Sequence, residues 1–232
     1  MKRFCLIVLT LILIALDTLG QTHFIGILGG VNRANIYAKD MYDHPYWHLN
    51  SHNPRIGFSG GLNYEYHFSE KYYLGVDLLY DQLGNKNPMF TIDQNGVLSS
   101  EIHWYRWNYD FFSLPVKFGF IVGNKVKVFT NIGVCPSYLF QAYSIVPQYD
   151  NNIFTEDKVY LWNSFSQKFD LGGVVEAGIS YPFLEDFSIF TSLRYRKGII
   201  PYRADKTLYD SIRMHHNALN CSIGIRFRLK SN

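Results

Sequence analysis

The sequence predicts an all-β fold, an eight-stranded antiparallel transmembrane β-barrel of up-and-down topology. Three observations predict it. Apolar and polar residues alternate with a period of two through eight segments. The connections between those segments alternate between long and short. Glycine and charge share one face of the segments, while apolar and aromatic residues hold the other. Successive side chains of a strand point to opposite faces, so each segment is a ribbon with one greasy and one polar side. Beyond the N-terminus no run is long and apolar enough for a transmembrane helix, so strands must do the spanning.

The N-terminus reads MKRFCLIVLTLILIALDTLGQ. Lys2 and Arg3 precede an apolar core over Phe4–Ala15, and Thr18 and Gly20 suit the −3 and −1 positions of a cleavage site before Gln21. Residues 1–20 therefore read as a secretory signal, leaving 21–232 as one barrel domain. Cys5 lies before the apolar core rather than after it, which argues against lipidation. Of 22 basic and 19 acidic residues, removing Lys2, Arg3 and Asp17 leaves 20 and 18, a net charge of +2. Such a balance leaves no footprint for nucleic acid. Cys135 and Cys221 are the cysteines that remain, too few for a disulfide scaffold. Their parity sends Cys135 inward and Cys221 outward, which argues against a bond between them.

Strand one covers roughly Thr22–Tyr37, with Ile25, Ile27 and Val31 opposed to Gly26, Leu28, Gly30 and Asn32. The polar loop Ala38–Pro54 follows. Strand two, RIGFSGGLNYEYHF over Arg55–Phe68, has the cleanest alternation, from Ile56 and Phe58 through Leu62, Tyr64 and Tyr66 on one face. After the turn Ser69–Lys71, strand three (Tyr72–Gly84) turns Leu74, Val76, Leu78 and Tyr80 outward and Gly75, Asp77, Leu79 and Asp81 inward. A loop with Asn85, Asn87, Pro88, Asn95 and Gly96 leads to strand four, about His103–Val122. There Phe112, Leu114, Val116, Phe118 and Phe120 share a face; Pro115 is awkward, because proline cannot donate to a ladder. Strand five (Lys125–Phe140) follows the turn at Gly123 and Asn124, and the longest loop spans Gln141–Ser166. Strands six (Gln167–Tyr181), seven (Phe187–Gly198) and eight (Asn217–Lys230) complete the set.

The short connections join strands two to three, four to five, and six to seven. Tight periplasmic turns and longer outer loops are the arrangement of outer-membrane barrels. Tyr64, Tyr66, Phe68, Tyr72, Phe118, Phe120, Tyr181 and Phe187 gather near the short turns, where a periplasmic aromatic girdle belongs. A soluble lipocalin-like barrel is the competing fold, but it needs a greasy interior, and here the charges accompany the glycines.

GILGGVN near the start, YYLGVDLLYDQLG in strand three and FFSLPVKFGF in strand four resemble the PorT-like outer-membrane β-barrel family of the Bacteroidetes, grouped with small OmpX-type barrels. LGGVVEAGIS, LRYRKGI and the closing SIGIRFRL extend the resemblance over essentially all of the chain after the signal. In that family an acidic residue often stands two positions before the strand-four proline, where this sequence has Ser113. The resemblance implies an integral outer-membrane barrel with a link to type IX secretion and gliding. No OmpA-like peptidoglycan-binding domain is expected after strand eight.

The inward charges Glu65, Asp77, Lys117, Asp170, Glu176, Arg194, Arg196, Arg226 and Arg228 form the first candidate site. Buried charge must be paired or hydrated, so they read as a polar plug or as a narrow ion path. Eight strands leave room for little besides side chains, which excludes a general diffusion porin. His44, His48 and His52, beside Asp40 and Asp43, have a metal-like spacing only in a helix, and Pro45 and Pro54 make the stretch a loop; no metal and no cofactor is implied. His103, His215, His216, Ser99 and Ser100 lie toward the outer rim without selecting a triad, and no nucleophile elbow is present. Tyr46, Trp47, Trp104, Trp107 and Trp162 form a candidate partner surface, since Tyr and Trp anchor interfaces; Tyr42, Tyr105 and Tyr160 stand beside them.

The reading is a non-enzymatic structural or interaction component of the envelope, linked to a secretion or surface machine. The alternatives are a lipid-modifying enzyme and a narrow channel. The expected partners are outer-membrane lipid and, through the outer loops, other envelope proteins, with no nucleic acid.

Overall fold

Antiparallel pairing of the first and last strands closes the sheet into a ring. A computed structural model describes residues 22–38, 53–92, 98–150, 153–161, 168–200 and 214–229. The strands are β1 (Thr22–Ala38), β2 (Asn53–His67), β3 (Tyr72–Ile92), β4 (Leu98–Ser113) and β5 (Val116–Val122), then β6 (Lys127–Asp150), β7 (Ile153–Tyr160), β8 (Phe169–Pro182), β9 (Phe187–Gly198) and β10 (Met214–Leu229). β1 pairs with β2 on one side and with β10 on the other, where His23 faces Leu229 and Ala38 faces Met214. From β2 the ladder runs through β3, the β4–β5 pair, β6, β8 and β9 back to β10.

Among the described residues, ten segments thus reduce to eight staves. β4 and β5 are one stave: Ser113 faces Ser137 of β6 and Val116 faces Val134, so the register does not slip across the gap. The gap has a chemical cause. Asp77 donates its N–H to the Pro115 carbonyl (3.0 Å) and Leu114 donates to the Pro136 carbonyl (2.9 Å). Neither proline can return a bond, so two adjacent rungs are each half made.

Two expected loops are partly strand. β3 continues past Gly84 to Ile92, so Asn85–Pro88 belong to an outer hairpin with β4. β6 continues to Asp150 and pairs with β7, which replaces much of the loop expected over Gln141–Ser166. The period-two signal fades there because a strand beyond the bilayer has no lipid face demanding apolar side chains. A bulge at Phe140, between the rungs Asp110–Gln141 and Phe111–Leu139, also flips the parity of β6. Below it Phe129, Cys135 and Leu139 are buried; above it Ala142 and Ser144 are.

The outer surface is apolar: Ile27, Ile56, Ile132, Val175 and Ile223 are each more than half exposed. On the turn side it ends in the expected aromatic belt, where Tyr72 lies 5.8 Å from Phe118 and 5.3 Å from Phe120, and Phe187 lies 4.9 Å from Phe227. Inside, two apolar clusters bracket the middle of the barrel. Tyr73, Ile121, Phe129, Phe190, Leu28 and Leu79 fill the end near the tight turns. Ala34, Ile36, Leu83, Tyr109, Phe111, Leu139, Ala142 and Ala218 fill the other end, with Trp107 packed against them.

The expected signal over 1–20 and loop one with Tyr46, Trp47 and its histidines lie outside the described residues, as does Trp162.

Candidate functional site in the barrel interior

Between the two apolar clusters the inward positions are polar, and strand register decides which of them meet. Glu176 of β8 stands opposite Asn131 of β6 and Arg194 of β9, while Lys117 of β5 stands opposite Gly75 of β3. From there the lysine side chain crosses the lumen. Its Nζ lies 2.7 Å from Asp77 Oδ2 and 2.8 Å from Glu176 Oε2. Glu176 also accepts from Asn131 (2.9 Å) and Ser192 (2.7 Å), and Asp77 accepts from Asn63 (2.8 Å). Buried charges with this many partners recover much of their lost hydration.

The chain of charge continues upward. Arg194 reaches Asp77 at 3.3 Å and Asp81 at 4.0 Å. Arg196 lies 3.8 Å from Asp81 and 2.6 Å from Asp170. Asp170 in turn stands 3.8 Å from His216 Nδ1. Nearer the tight turns a second group forms: Arg226 pairs with Glu65, which also lies 3.0 Å from His67. The Arg226 guanidinium sits over the Phe190 ring at 4.4 Å, its charge facing the π-cloud.

Of the nine charges expected inside, eight are buried in this way, and Arg228 instead stands exposed at the mouth near the turns. Asp81, read as inward on strand three but left out of that charge set, belongs to the network as well: its spacing of four from Asp77 keeps both carboxylates on one face of β3. The neutral polar residues that finish the network, among them Asn63, Asn131 and Ser192, carry no signal besides parity.

His216, expected toward the rim, is fully buried, with Tyr109 and Phe111 presenting their rings to it at 5.2 Å. Trp104 and Trp107 fall on opposite faces of β4: Trp107 packs inward on the upper apolar cluster, while Trp104 lies outward against Lys86. Among the described residues no group of three metal-ligating side chains comes together.

An apolar outside, a charged inside and a closed ring are what a bilayer requires of a strand-built protein. The outer membrane protein beta-barrel domain family matches residues 20–202. The chain belongs to that family. This outer-membrane barrel is similar to OprG from Pseudomonas aeruginosa, with a TM-score of 0.50 at 11% identity over 92% of this chain and 97% of that one. Neisserial surface protein A (TM-score 0.46, 10% identity, 88% and 97% covered) and Ail of Yersinia pestis (0.39, 12%, 88% and 98%) are further structural neighbours. At these identities the likeness to OprG speaks for the fold alone. No curated protein matches in sequence. The barrel resides in the outer membrane, its apolar band in lipid.

Proposed function

We propose that this outer-membrane barrel is a non-enzymatic structural or interaction component of the envelope that presents its outer hairpins and loops to other envelope proteins. The observation that carries the reading is the filled interior. The space left among Lys117, Asp77, Glu176 and Phe129 is about 10 Å³. That volume holds one water at most. A middle filled to this degree favours a side-chain plug over a path for solutes. The burial of His216 also favours a non-enzymatic role, because a base enclosed by the barrel cannot reach a lipid substrate. The sequence resemblance to PorT-like barrels adds the finer proposal that the docking partner belongs to a secretion or surface machine.

The test is affinity capture of the tagged protein from its native outer membrane in mild detergent, paired with planar-bilayer recording. A stoichiometric partner complex and a silent bilayer are expected. Discrete conductance steps that vanish on charge reversal at Glu176 or Arg194 would replace this reading with a narrow channel.

A further inference from the structure

We propose that the outward face of β3, β4 and β7, just beyond the bilayer, binds the phosphate of a phosphorylated glycolipid in the outer leaflet. Lys86 and Arg106 are its two cations.

The first observation is a rung that a sheet would ordinarily avoid. Lys86 of β3 and Arg106 of β4 stand directly opposite each other, on the same face. Like charges so placed repel and destabilise the pair unless an anion lies between them. The row continues: Arg106 faces Ile145 of β6, and Ile145 faces Lys158 of β7. Three cations therefore share one outward line. Glu156 of β7 pairs with Arg106 and neutralises only that one. Lys86 rests on the Trp104 ring at 4.1 Å and Lys158 on the Tyr143 ring at 3.9 Å, platforms that hold an ammonium without cancelling its charge.

The second observation is height. Tyr72 marks the belt at the turn side, and Lys86 lies farther along the same strand. At the usual rise and tilt it stands roughly 35 Å from Tyr72 along the membrane normal. The apolar band of such a barrel is about 25 Å tall. Lys86 and Arg106 thus sit about 10 Å above the hydrocarbon, within side-chain reach of outer-leaflet headgroups. Below them on the same face come Tyr80 and Phe112, at the level where lipid chains end.

The third observation is a recess. Lys86, Arg106, Trp104, Ile102, His103 and Glu156 line an open groove of about 300 Å³. It sets two cationic donors beside the apolar side chains of Ile102 and Trp104, the pairing that a phosphorylated lipid headgroup requires. A free inorganic anion would use the cations but not Ile102 or Trp104.

The probe is diphosphoryl lipid A, compared with its fully dephosphorylated form carrying the same acyl chains. Binding to the purified full-length barrel in detergent is read by native mass spectrometry. The wild type should retain the phosphorylated lipid roughly tenfold better, as one or two charged hydrogen bonds provide. Lys86→Gln with Arg106→Gln should abolish that preference while far-UV circular dichroism of the double variant matches that of the wild-type barrel. Glu156→Gln removes the competing carboxylate and should raise retention about threefold, an outcome that misfolding cannot imitate. Equal retention of both lipids by the wild type overturns the proposal, as does an undiminished preference in the folded double variant. Complete displacement of the lipid by millimolar inorganic phosphate also overturns it, since the groove would then serve a free anion.

Discussion

The ring of Tyr73 occupies the space that a Cβ at position 119 would need, so Gly119 is the socket for a fully buried tyrosine. The same relation recurs where Phe129 lies over Gly178 and Phe190 over Gly224. Inward glycine in this barrel makes room for inward aromatic rings near the tight turns, and the rings close that end of the lumen.

Gly119→Ala should therefore destabilise the folded barrel by about 1–3 kcal/mol, the range for overpacking a filled interior. Gly75→Ala provides the contrast, because its new methyl would meet nothing closer than 3.5 Å and should cost far less. Urea unfolding in detergent, followed by tryptophan fluorescence, measures both. Combining Gly119→Ala with Tyr73→Ala should cost less than the sum of the two, since the second change empties the space the first one fills. Equal losses for the two alanine variants would refute the socket.

Asp77 and Glu176 share the Lys117 ammonium. Lys117→Met keeps most of its bulk and leaves two carboxylates in the lumen with fewer partners. Arg194 and Asn63 still serve Asp77, and Asn131 and Ser192 still serve Glu176. The expected loss is about 3 kcal/mol, the lower end for a broken buried pair. Adding Asp77→Asn and Glu176→Gln should restore part of it, because the triple variant removes the two carboxylates that lost their ammonium and leaves Asp81 as the carboxylate beside Arg194. A triple variant weaker than Lys117→Met would mean that the carboxylates contribute through something other than this lysine. Urea midpoints of the three proteins decide the matter.

The ring of eight staves was legible because lipid enforces alternation: Ile25, Ile27 and Val31 can only face one way, and Leu219, Cys221 and Ile223 likewise. The interior charges were legible through the same parity, which is why Lys117, Glu176 and Arg194 could be assigned to the lumen. What meets what inside was not legible. The contact of Arg196 with Asp170 depends on the register between β8 and β9, and the inward turn of Ala142 and Ser144 depends on the Phe140 bulge; a period of two carries neither. Nor was the strand continuing through Asn85–Pro88, whose composition reads as a loop because nothing at that height selects for a greasy face.

Cys135 and Cys221 report on the two faces independently. Cys135 is buried in the lumen with its Sγ 3.4 Å from Ser137 Oγ, and Cys221 is exposed among the lipid-facing residues between Val31 and Leu193. In intact outer membranes a lipid-soluble maleimide should modify Cys221 and spare Cys135, while a charged, water-soluble maleimide should modify neither. After unfolding in urea both should react with either reagent, in keeping with two free thiols. The variants Cys221→Ser and Cys135→Ser assign each adduct, and the double variant sets any background from Cys5. Labelling of Cys135 by the water-soluble reagent in the folded barrel would mean that the lumen admits solutes, which contradicts its filling. Labelling of Cys221 by that reagent would mean that its face looks into water rather than lipid.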